Sequence, residues 1–185
     1  KDSVIRDADG CLYVLFHGTA RQFDEFDPER SGENYKGWSE FGSGIYLTGN
    51  KEVARYFAEK AAKGAPIVMM ELYANITNPL LGSEPVPFSV KDYVDQFGLD
   101  DKMVAELQNS GEKFLRFLVK HGIDPRPILI DKKYDGVLIY QDWDEPAQVI
   151  AYYKNQVKRT DNKNPTADNR TSFSMDEDTD AEHMA

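Results

Sequence analysis

"FGSGIYLTGNKEVARYFAEK", residues 41–60, places a glycine-rich turn, a short strand and a helix in immediate succession. The turn contains Gly42 and Gly44, and the apolar run "GIYLT" that follows is typical of a strand. Tyr46 lies in this predicted strand, and Tyr56 lies in the helix predicted after it. A strand followed at once by a helix predicts a domain that mixes the two kinds of structure.

The spacing of the glycines argues against a phosphate-binding loop. A dinucleotide fingerprint needs a third glycine, and a P-loop ends in Gly-Lys-Ser/Thr; neither is present here. Tyr46 and Tyr56 could instead face each other across a gap and form a slot for a flat heterocycle. Offset aromatic stacking adds about 0.5–1.5 kcal/mol to burial. The alternative is that both tyrosines are ordinary core residues.

The predicted helix begins after Asn50, a favourable N-cap residue, and ends before Gly64, a favourable C′ residue. One face carries four apolar side chains at helical spacing: Val53, Tyr56, Phe57 and Ala61. The spacing predicts that this face is buried.

Composition limits the classes of function. The chain has 185 residues, 41% of them hydrophobic, and a formal net charge of −10. This charge argues against non-specific coating of nucleic acids, because phosphates would be repelled. The single cysteine, Cys11, excludes an intramolecular disulfide. No residue pattern predicts a metal site.

The N-terminal sequence lacks an apolar signal-peptide region and an initiator Met, and no run is long enough to span a membrane. We therefore expect a processed product or a domain of a longer chain, located in the cytoplasm or delivered into a host cell as an effector, without membrane insertion.

The order of predicted elements is strands, a helix, another strand, a helical pair and two more strands. We predict an α+β catalytic domain over residues 1–158, with a helical insertion at about 85–127 and final strands at 134–140 and 147–153. Residues 159–185 are polar and lack apolar periodicity, so they are expected to form a flexible C-terminal tail.

His17, Gly18 and Thr19 follow an apolar strand in "LFHGT". A histidine at the end of a strand is well placed to contact a ligand, the glycine exposes its backbone, and the threonine adds a hydroxyl. A lone histidine is more often a residue that hydrogen-bonds a neighbouring loop. That interpretation stays open on the residues alone.

Taken together, these segments resemble a known family. "DADG", "LFHGT", "FDEF", "GSGIYLT", "ARYFA", "YDGVLIY" and "QVIAYYKNQVK" occur in the order seen in ADP-ribosyltransferases. The sequence is most similar to the ADP-ribosyltransferase domains of phage and mobile-element polyvalent proteins, in the diphtheria-toxin-like branch with a His-Tyr-Glu signature. The tail's "NPTADNRTSFSM" resembles the segment that follows such domains. The resemblance covers residues 4 to about 158, least closely over 85–127.

The resemblance implies an ADP-ribosyltransferase-like fold, in which two small antiparallel sheets form a cleft for NAD. It implies that His17 binds a ribose hydroxyl and that Gly18 holds the nicotinamide carboxamide through its backbone. Tyr46 and Tyr56 would form the two walls of the nicotinamide slot. Thr19 would add a polar contact to NAD, and Gly44 would leave clearance for it.

The sequence departs from the family at the third signature residue, because Gln148 stands where the family has a glutamate. Glutamine can bind the ribose 2′-hydroxyl, but it cannot stabilise an oxocarbenium-like transition state by charge. Gln148 could be native, could be an introduced substitution, or could leave the catalytic role to Glu145. We favour a glutamine that still binds NAD.

The loop "QDWDEPA" precedes that strand, at the place where family members recognise their targets. Asp142 and Trp143 are the predicted substrate-recognition residues, although a tryptophan packed over the sheet edge is an equal alternative.

The expected function is mono-ADP-ribosyl transfer from NAD, without a metal, to a macromolecular acceptor, for which we expect a protein rather than a nucleic acid. The alternatives are an NAD glycohydrolase, or an NAD-binding module of weak activity.

Overall fold

The chain folds into two small β-sheets and five α-helices over the residues described by a computed structural model: 2–30, 39–142 and 145–172, with the backbone alone at 141, 142 and 145. The predicted mixed α+β class is confirmed. No helix in the described ranges is both long enough and apolar enough to span a membrane.

The first sheet has three antiparallel strands in the order β1-β3-β7. They are β1 (Leu15–Thr19), β3 (Val68–Ala74) and β7 (Val157–Arg159). The central strand β3 is the long apolar run of the sequence, but only Leu72 and Ala74 of it are buried and Glu71 is exposed.

The second sheet has four strands in the order β2-β6-β5-β4. They are β2 (Ile45–Leu47), β4 (Pro79–Leu81), β5 (Gly136–Asp142) and β6 (Glu145–Ala151). The prediction of two antiparallel sheets is wrong for this sheet, because β4 pairs with β5 in parallel. Parallel neighbours need a long crossover, and the helical segment between these strands provides it.

The helices fall into two groups. Helix α1 (Lys51–Ala62) directly follows β2, as the sequence predicts. Between β4 and β5 lie α2 (Lys91–Val94), α3 (Asp101–Gln108), α4 (Gly111–Lys120) and α5 (Pro125–Asp131). This helical region ends slightly later than the predicted 85–127.

Two hydrophobic clusters arise from the alternation of side chains along the second sheet. Leu138 and Val149 face the first sheet, where Leu15 and Leu72 complete one cluster. Their neighbours in sequence point the opposite way, toward helices α2–α5. The second cluster includes Val137, Ile150, Phe114, Leu115 and Leu118. The second sheet is therefore covered on both faces.

Helix α1 begins as predicted but buries a different face. The side chain of Asn50 accepts hydrogen bonds from the amides of Glu52 and Val53, which confirms it as the N-cap. The buried residues, however, are Ala54, Ala58 and Ala62. Two side chains of the predicted apolar face are exposed instead: Tyr56 at 58% and Phe57 at 46%. The small alanines let α1 approach β1 closely.

Both ends of the described chain pack onto the domain. At the N-terminus, the hydroxyl of Ser3 donates a hydrogen bond to the carbonyl of Ala74, and Arg6 and Leu12 form an isolated antiparallel bridge. The predicted boundary at 158 falls inside β7, and residues beyond it pack onto the domain: Asn162 is buried, and the carbonyl of Thr166 accepts a hydrogen bond from Asn75. Residues 173–185 lie outside the described residues.

Candidate active site

The glycine turn before β2 docks against helix α5 and strand β6. Gly42 has φ +93°, and an added Cβ would lie 2.4 Å from Pro125 Cδ. Gly44 has φ +151°, and a Cβ there would lie 2.5 Å from Ile150 Cγ2. The space left by these glycines is thus filled by the protein itself. The role of Gly44 in NAD binding stays a prediction.

Asp124 fixes this turn from the other side. Its carboxylate accepts hydrogen bonds from the amide of Ser43 (2.9 Å) and from the Ser43 hydroxyl. The same carboxylate accepts a hydrogen bond from the amide of Arg126 and so caps α5. One side chain therefore joins the turn before β2 to the start of the last helix.

Tyr46 is tied to the same turn through its phenol. The hydroxyl donates to the carbonyl of Gly42 (2.7 Å) and accepts from the amide of Phe41 (3.2 Å). Burial raises the pKa of Tyr46 well above its usual range, and nearby Asp124 and Glu40 act in the same direction. The phenol therefore stays neutral and its ring is held in one orientation.

His17 connects the two sheets. Its Nδ1 lies 2.8 Å from the carbonyl oxygen of Tyr46. A carbonyl can only accept, so Nδ1 carries the proton and Nε2 of the neutral ring is left as an acceptor. Burial lowers the pKa of His17, although the Tyr46 hydrogen bond opposes this. The imidazole is thus neutral at pH 7, and its Nε2 can accept a hydrogen bond from a hydroxyl group.

Two phenylalanines form a wall on this imidazole. The ring centroid of Phe26 lies 5.0 Å and that of Phe23 lies 6.2 Å from the centroid of His17, both edge-on. The two phenylalanine rings also contact each other at 4.8 Å. They belong to the "FDEF" segment of the sequence, and we name this pair the Phe23–Phe26 wall.

Gly18 has a packing role and an open backbone. A Cβ at this position would lie 2.3 Å from the carbonyl oxygen of Ala54 and 2.7 Å from the Cβ of Ala58. The missing side chain therefore accommodates α1, and the binding of NAD by the Gly18 backbone stays a prediction.

The backbone of Gly18 faces the gap between β1 and β2. Phe16 and Thr48 exchange backbone hydrogen bonds across this gap. Alternate residues of a strand direct their N–H and C=O groups to the same side, so Gly18 directs its own toward β2. No strand in the described part of the chain pairs with Gly18 on that side.

Gln148 shares a sheet face with Tyr46. Tyr46 pairs with Ile150 of β6, which places Gln148 two residues away on the same face, at about 7–8 Å for a diagonal pair. The side-chain oxygen of Gln148 is buried and has no hydrogen-bond partner among the described residues. A buried acceptor without a donor is uncommon and fits a site that a ligand hydroxyl fills.

The remaining predicted residues are less closely grouped. The hydroxyl of Thr19 accepts a hydrogen bond from the amide of Arg21. Tyr56 contacts Phe57 edge-on and, within the described residues, is not in ring contact with Tyr46. Its place as the second wall of the slot stays a prediction.

The predicted recognition loop joins β5 to β6. Asp142 and Glu145 are paired backbone positions at the end of this hairpin, next to a register shift at Tyr140. Such bulges redirect side chains near functional sites. Trp143 lies outside the described residues, so its role and those of the Asp142 and Glu145 side chains stay predictions.

A cavity of about 310 Å³ is lined by residues that follow Phe26 of the wall, by one residue of α5 and by residues that follow β6. The lining residues are charged or aromatic apart from one proline: Asp27, Pro28, Glu29, Arg126, Tyr152, Tyr153 and Lys154.

Two buried polar atoms lie in the lining of this cavity. Arg126 Nε and the Tyr152 hydroxyl have no hydrogen-bond partner among the described residues. Arg126 is oriented by its Nη2, which donates to the carbonyl of Tyr152 (2.8 Å), while Glu29 lies 3.8 Å from its Nη1. The side chain of Arg126 is 16% exposed, so part of a guanidinium group lines the cavity.

No role was predicted from the sequence for the Phe23–Phe26 wall, Arg126 or Tyr152. The Phe-X-X-Phe spacing was the available signal for the wall, since it follows the histidine motif closely. No local signal identifies Arg126 and Tyr152, which meet only through the long-range packing of α5 on β6.

No curated protein matches the chain. A solved structure described as an anti-CRISPR protein is 16% identical, with a TM-score of 0.36, over 76% of this chain and 93% of that one; a likeness at this level carries no argument. The family described as ADP-ribosyltransferase in polyvalent proteins matches residues 7–167. The chain belongs to this ADP-ribosyltransferase family.

Proposed function

We propose that the protein is an NAD-dependent mono-ADP-ribosyltransferase that cleaves the nicotinamide–ribose bond and transfers ADP-ribose to a macromolecular acceptor. The observation that supports this proposal is a set of three polar groups on β1 and β6 that have hydrogen-bonding capacity left for a ligand. They are the acceptor Nε2 of His17, the open backbone of Gly18, and the buried, partnerless oxygen of Gln148 on the face of Tyr46.

These groups match the needs of the reaction. A flat carboxamide-bearing ring requires one donor and one acceptor in fixed geometry, and the N–H and C=O of Gly18 offer both. Ribose hydroxyls require acceptors, and His17 Nε2 and the Gln148 oxygen supply them. The phenol of Tyr46 is held by two hydrogen bonds, so its ring presents a fixed face for stacking.

In the reaction the C1′–N bond breaks, and its electron pair leaves with nicotinamide. A nucleophile of the acceptor forms the new bond to C1′ and loses its proton to solvent or to a base. The sugar passes through an oxocarbenium-like state. Gln148 can orient the ribose through its amide but cannot neutralise this charge, so we expect a slow reaction.

We assign the cavity lined by Arg126 and Tyr152 to the diphosphate, a ribose and the adenine of NAD. A guanidinium N–H suits a diphosphate oxygen, and the carboxylates of Asp27 and Glu29 suit ribose hydroxyls. Tyr153 is 43% exposed and can stack on the adenine. Because the chain carries a net charge of −10, we propose a protein acceptor rather than a nucleic acid. Effector delivery and cytoplasmic location stay predictions.

The test is incubation with biotin-labelled NAD in a cell lysate, with nicotinamide release measured in parallel. The proposal predicts a labelled acceptor and nicotinamide release, and the loss of both in His17→Ala and Tyr46→Ala. If both variants bind NAD and release nicotinamide as the wild type does, the assignment of the site is wrong.

Gln148 favours two further candidates, which the same experiment separates. Release of ADP-ribose without a labelled acceptor would indicate an NAD glycohydrolase. Binding of NAD without release of nicotinamide over hours would indicate an NAD-binding module.

A further inference from the structure

The C-terminal segment 168–172 is fastened to the first sheet by a buried lysine. Lys158 of β7 is 0% exposed, and its ammonium group donates to the carbonyl oxygens of Arg170 and Ser172. The carboxylate of Asp168 lies 3.9 Å away. A buried ammonium group is unfavourable unless it is paired and hydrogen-bonded, so this segment has to stay over Lys158.

The same segment reaches the loop that follows β1. Ser172 forms an antiparallel bridge with Glu25, and the hydroxyl of Thr171 donates to Oε2 of Glu25 (2.7 Å). The other oxygen, Oε1, accepts a hydrogen bond from Lys154 (2.7 Å). Both carboxylate oxygens of Glu25 are therefore held, which lowers the pKa of Glu25 mainly through Lys154 and then Thr171.

Glu25 stands between the two residues of the Phe23–Phe26 wall. Its backbone position consequently helps to set where both rings meet the imidazole of His17. The described contacts form a continuous path from Lys158 through the C-terminal segment and Glu25 to the wall on His17.

We propose that Thr171 and Glu25 are positioning residues, through which the C-terminal segment 168–172 holds the Phe23–Phe26 wall against His17. The effect on activity rests on the proposed function, in which the imidazole oriented by this segment binds the ribose of NAD. Glu25 acts on His17 through the wall and also holds Lys154, which lines the cavity of Arg126 and Tyr152, while Thr171 acts through Glu25. The segment is thus part of the working domain rather than an appended tail.

The experiment uses the full chain carrying Thr171→Val, which keeps the shape of the side chain and removes the donor to Glu25. Thr171→Ser keeps the hydroxyl and serves as the conservative variant. Asn169→Ala is the matched control, because Asn169 is an exposed neighbour in the same segment. The readouts are the ring resonances and titration of His17 by NMR in histidine-labelled protein, and the rate of nicotinamide release.

In Thr171→Val we expect the His17 ring resonances to shift and its titration midpoint to rise toward 6.5, the ordinary value, because the wall no longer shields the ring. We also expect nicotinamide release to fall by up to about 100-fold, the loss that a displacement of about 1 Å can cause. Thr171→Ser and Asn169→Ala should resemble the wild type in both readouts. The ring resonances of His121, in the distant helical region, should not move in any variant.

Unchanged His17 resonances and titration in Thr171→Val would overturn the proposal, and so would an equal change in Asn169→Ala. If Thr171→Val unfolds, Glu25→Gln replaces it, since this variant keeps the side-chain shape and weakens both attachments. A wild type that releases no nicotinamide would contradict the proposed function only. The NMR readouts would then still decide whether the segment positions His17.

Discussion

The imidazole Nδ1 of His17 lies 2.8 Å from the carbonyl oxygen of Tyr46 and joins the first sheet to the second. This contact lies next to the isolated Phe16–Thr48 bridge, which links β1 to the residue that follows β2. The side-chain hydrogen bond therefore links the two sheets beside this backbone bridge. The same contact fixes the tautomer, which leaves Nε2 as an acceptor beside the backbone of Gly18.

The buried state of His17 predicts a pH-dependent stability. Its pKa is lowered from 6.5 in the folded protein, so the unfolded chain binds the proton more readily. The resulting contribution to the free energy of unfolding is fully present above pH 6.5 and is lost as pH falls toward the folded pKa.

Urea unfolding of the wild type and of His17→Asn, which keeps a donor for Tyr46, measures this contribution. We expect the difference in stability to shrink between pH 7.5 and pH values below 6.5. A difference that stays constant across this range would show that the ring is not protected from protonation.

The phenol of Tyr46 predicts a stability effect that is separate from stacking. Tyr46→Phe keeps the ring but leaves the carbonyl of Gly42 and the amide of Phe41 without a partner. We expect a loss of about 1–3 kcal/mol in the free energy of unfolding. Tyr56→Phe is the control, because its ring is exposed at 58% and should change stability by less than about 0.5 kcal/mol. Equal effects in chemical denaturation would contradict the assigned role of the Tyr46 hydroxyl.

Asp124 offers a second test of how the glycine turn is held. Asp124→Ala removes the cap of α5 and both hydrogen bonds to Ser43. Asp100→Ala is the matched control, since Asp100 caps α3 through the amide of Met103 but does not contact the turn. We expect the loss of either cap to lower the free energy of unfolding by about 1 kcal/mol. The total decrease should be larger at Asp124, because that variant also loses both hydrogen bonds to Ser43.

The two caps should also differ in their effect on the site. We expect NAD affinity, measured by calorimetry, to fall in Asp124→Ala and to be unchanged in Asp100→Ala, because only Asp124 orients the turn that carries Tyr46. Equal NAD affinities in the two variants would show that the glycine turn does not contribute to NAD binding.

Local signals in the sequence predicted the elements well. The cap at Asn50 and the helix that follows β2 are properties of a few neighbouring residues, and both were found as expected. The family resemblance added His17, Tyr46 and Gln148; the structure joins His17 to the backbone of Tyr46 and puts Gln148 on the sheet face of Tyr46.

What the sequence could not supply is set by long-range packing. The buried face of α1 consists of alanines, because β1 lies too close for Tyr56 or Phe57, and this distance depends on Gly18 meeting Ala58. Gly42 lies against Pro125, a residue far away along the chain, so its purpose could not be read from the turn alone. The parallel pairing of β4 likewise depends on the length of the helical crossover.

Gln148 gives the most direct test of the chemistry. The family resemblance predicts that it stands where the family has a glutamate, and its side-chain oxygen is buried without a donor among the described residues. Gln148→Glu retains the shape of the side chain and adds a negative charge next to the developing positive charge on the ribose. Charge stabilisation of this kind is worth about 10²–10³ in rate at active sites, so we expect nicotinamide release to increase by up to this factor.

The alternative donor of charge is Glu145, three residues earlier in the same strand. If Gln148 only orients the ribose and Glu145 provides the charge, Glu145→Gln abolishes the activity of the wild type, and Gln148→Glu gives little gain. If Gln148 occupies the catalytic position, Gln148→Glu increases the rate of nicotinamide release. This increase then persists when Glu145→Gln is added to the same chain. The double variant therefore decides between the two residues, because only one of the assignments predicts that it stays active.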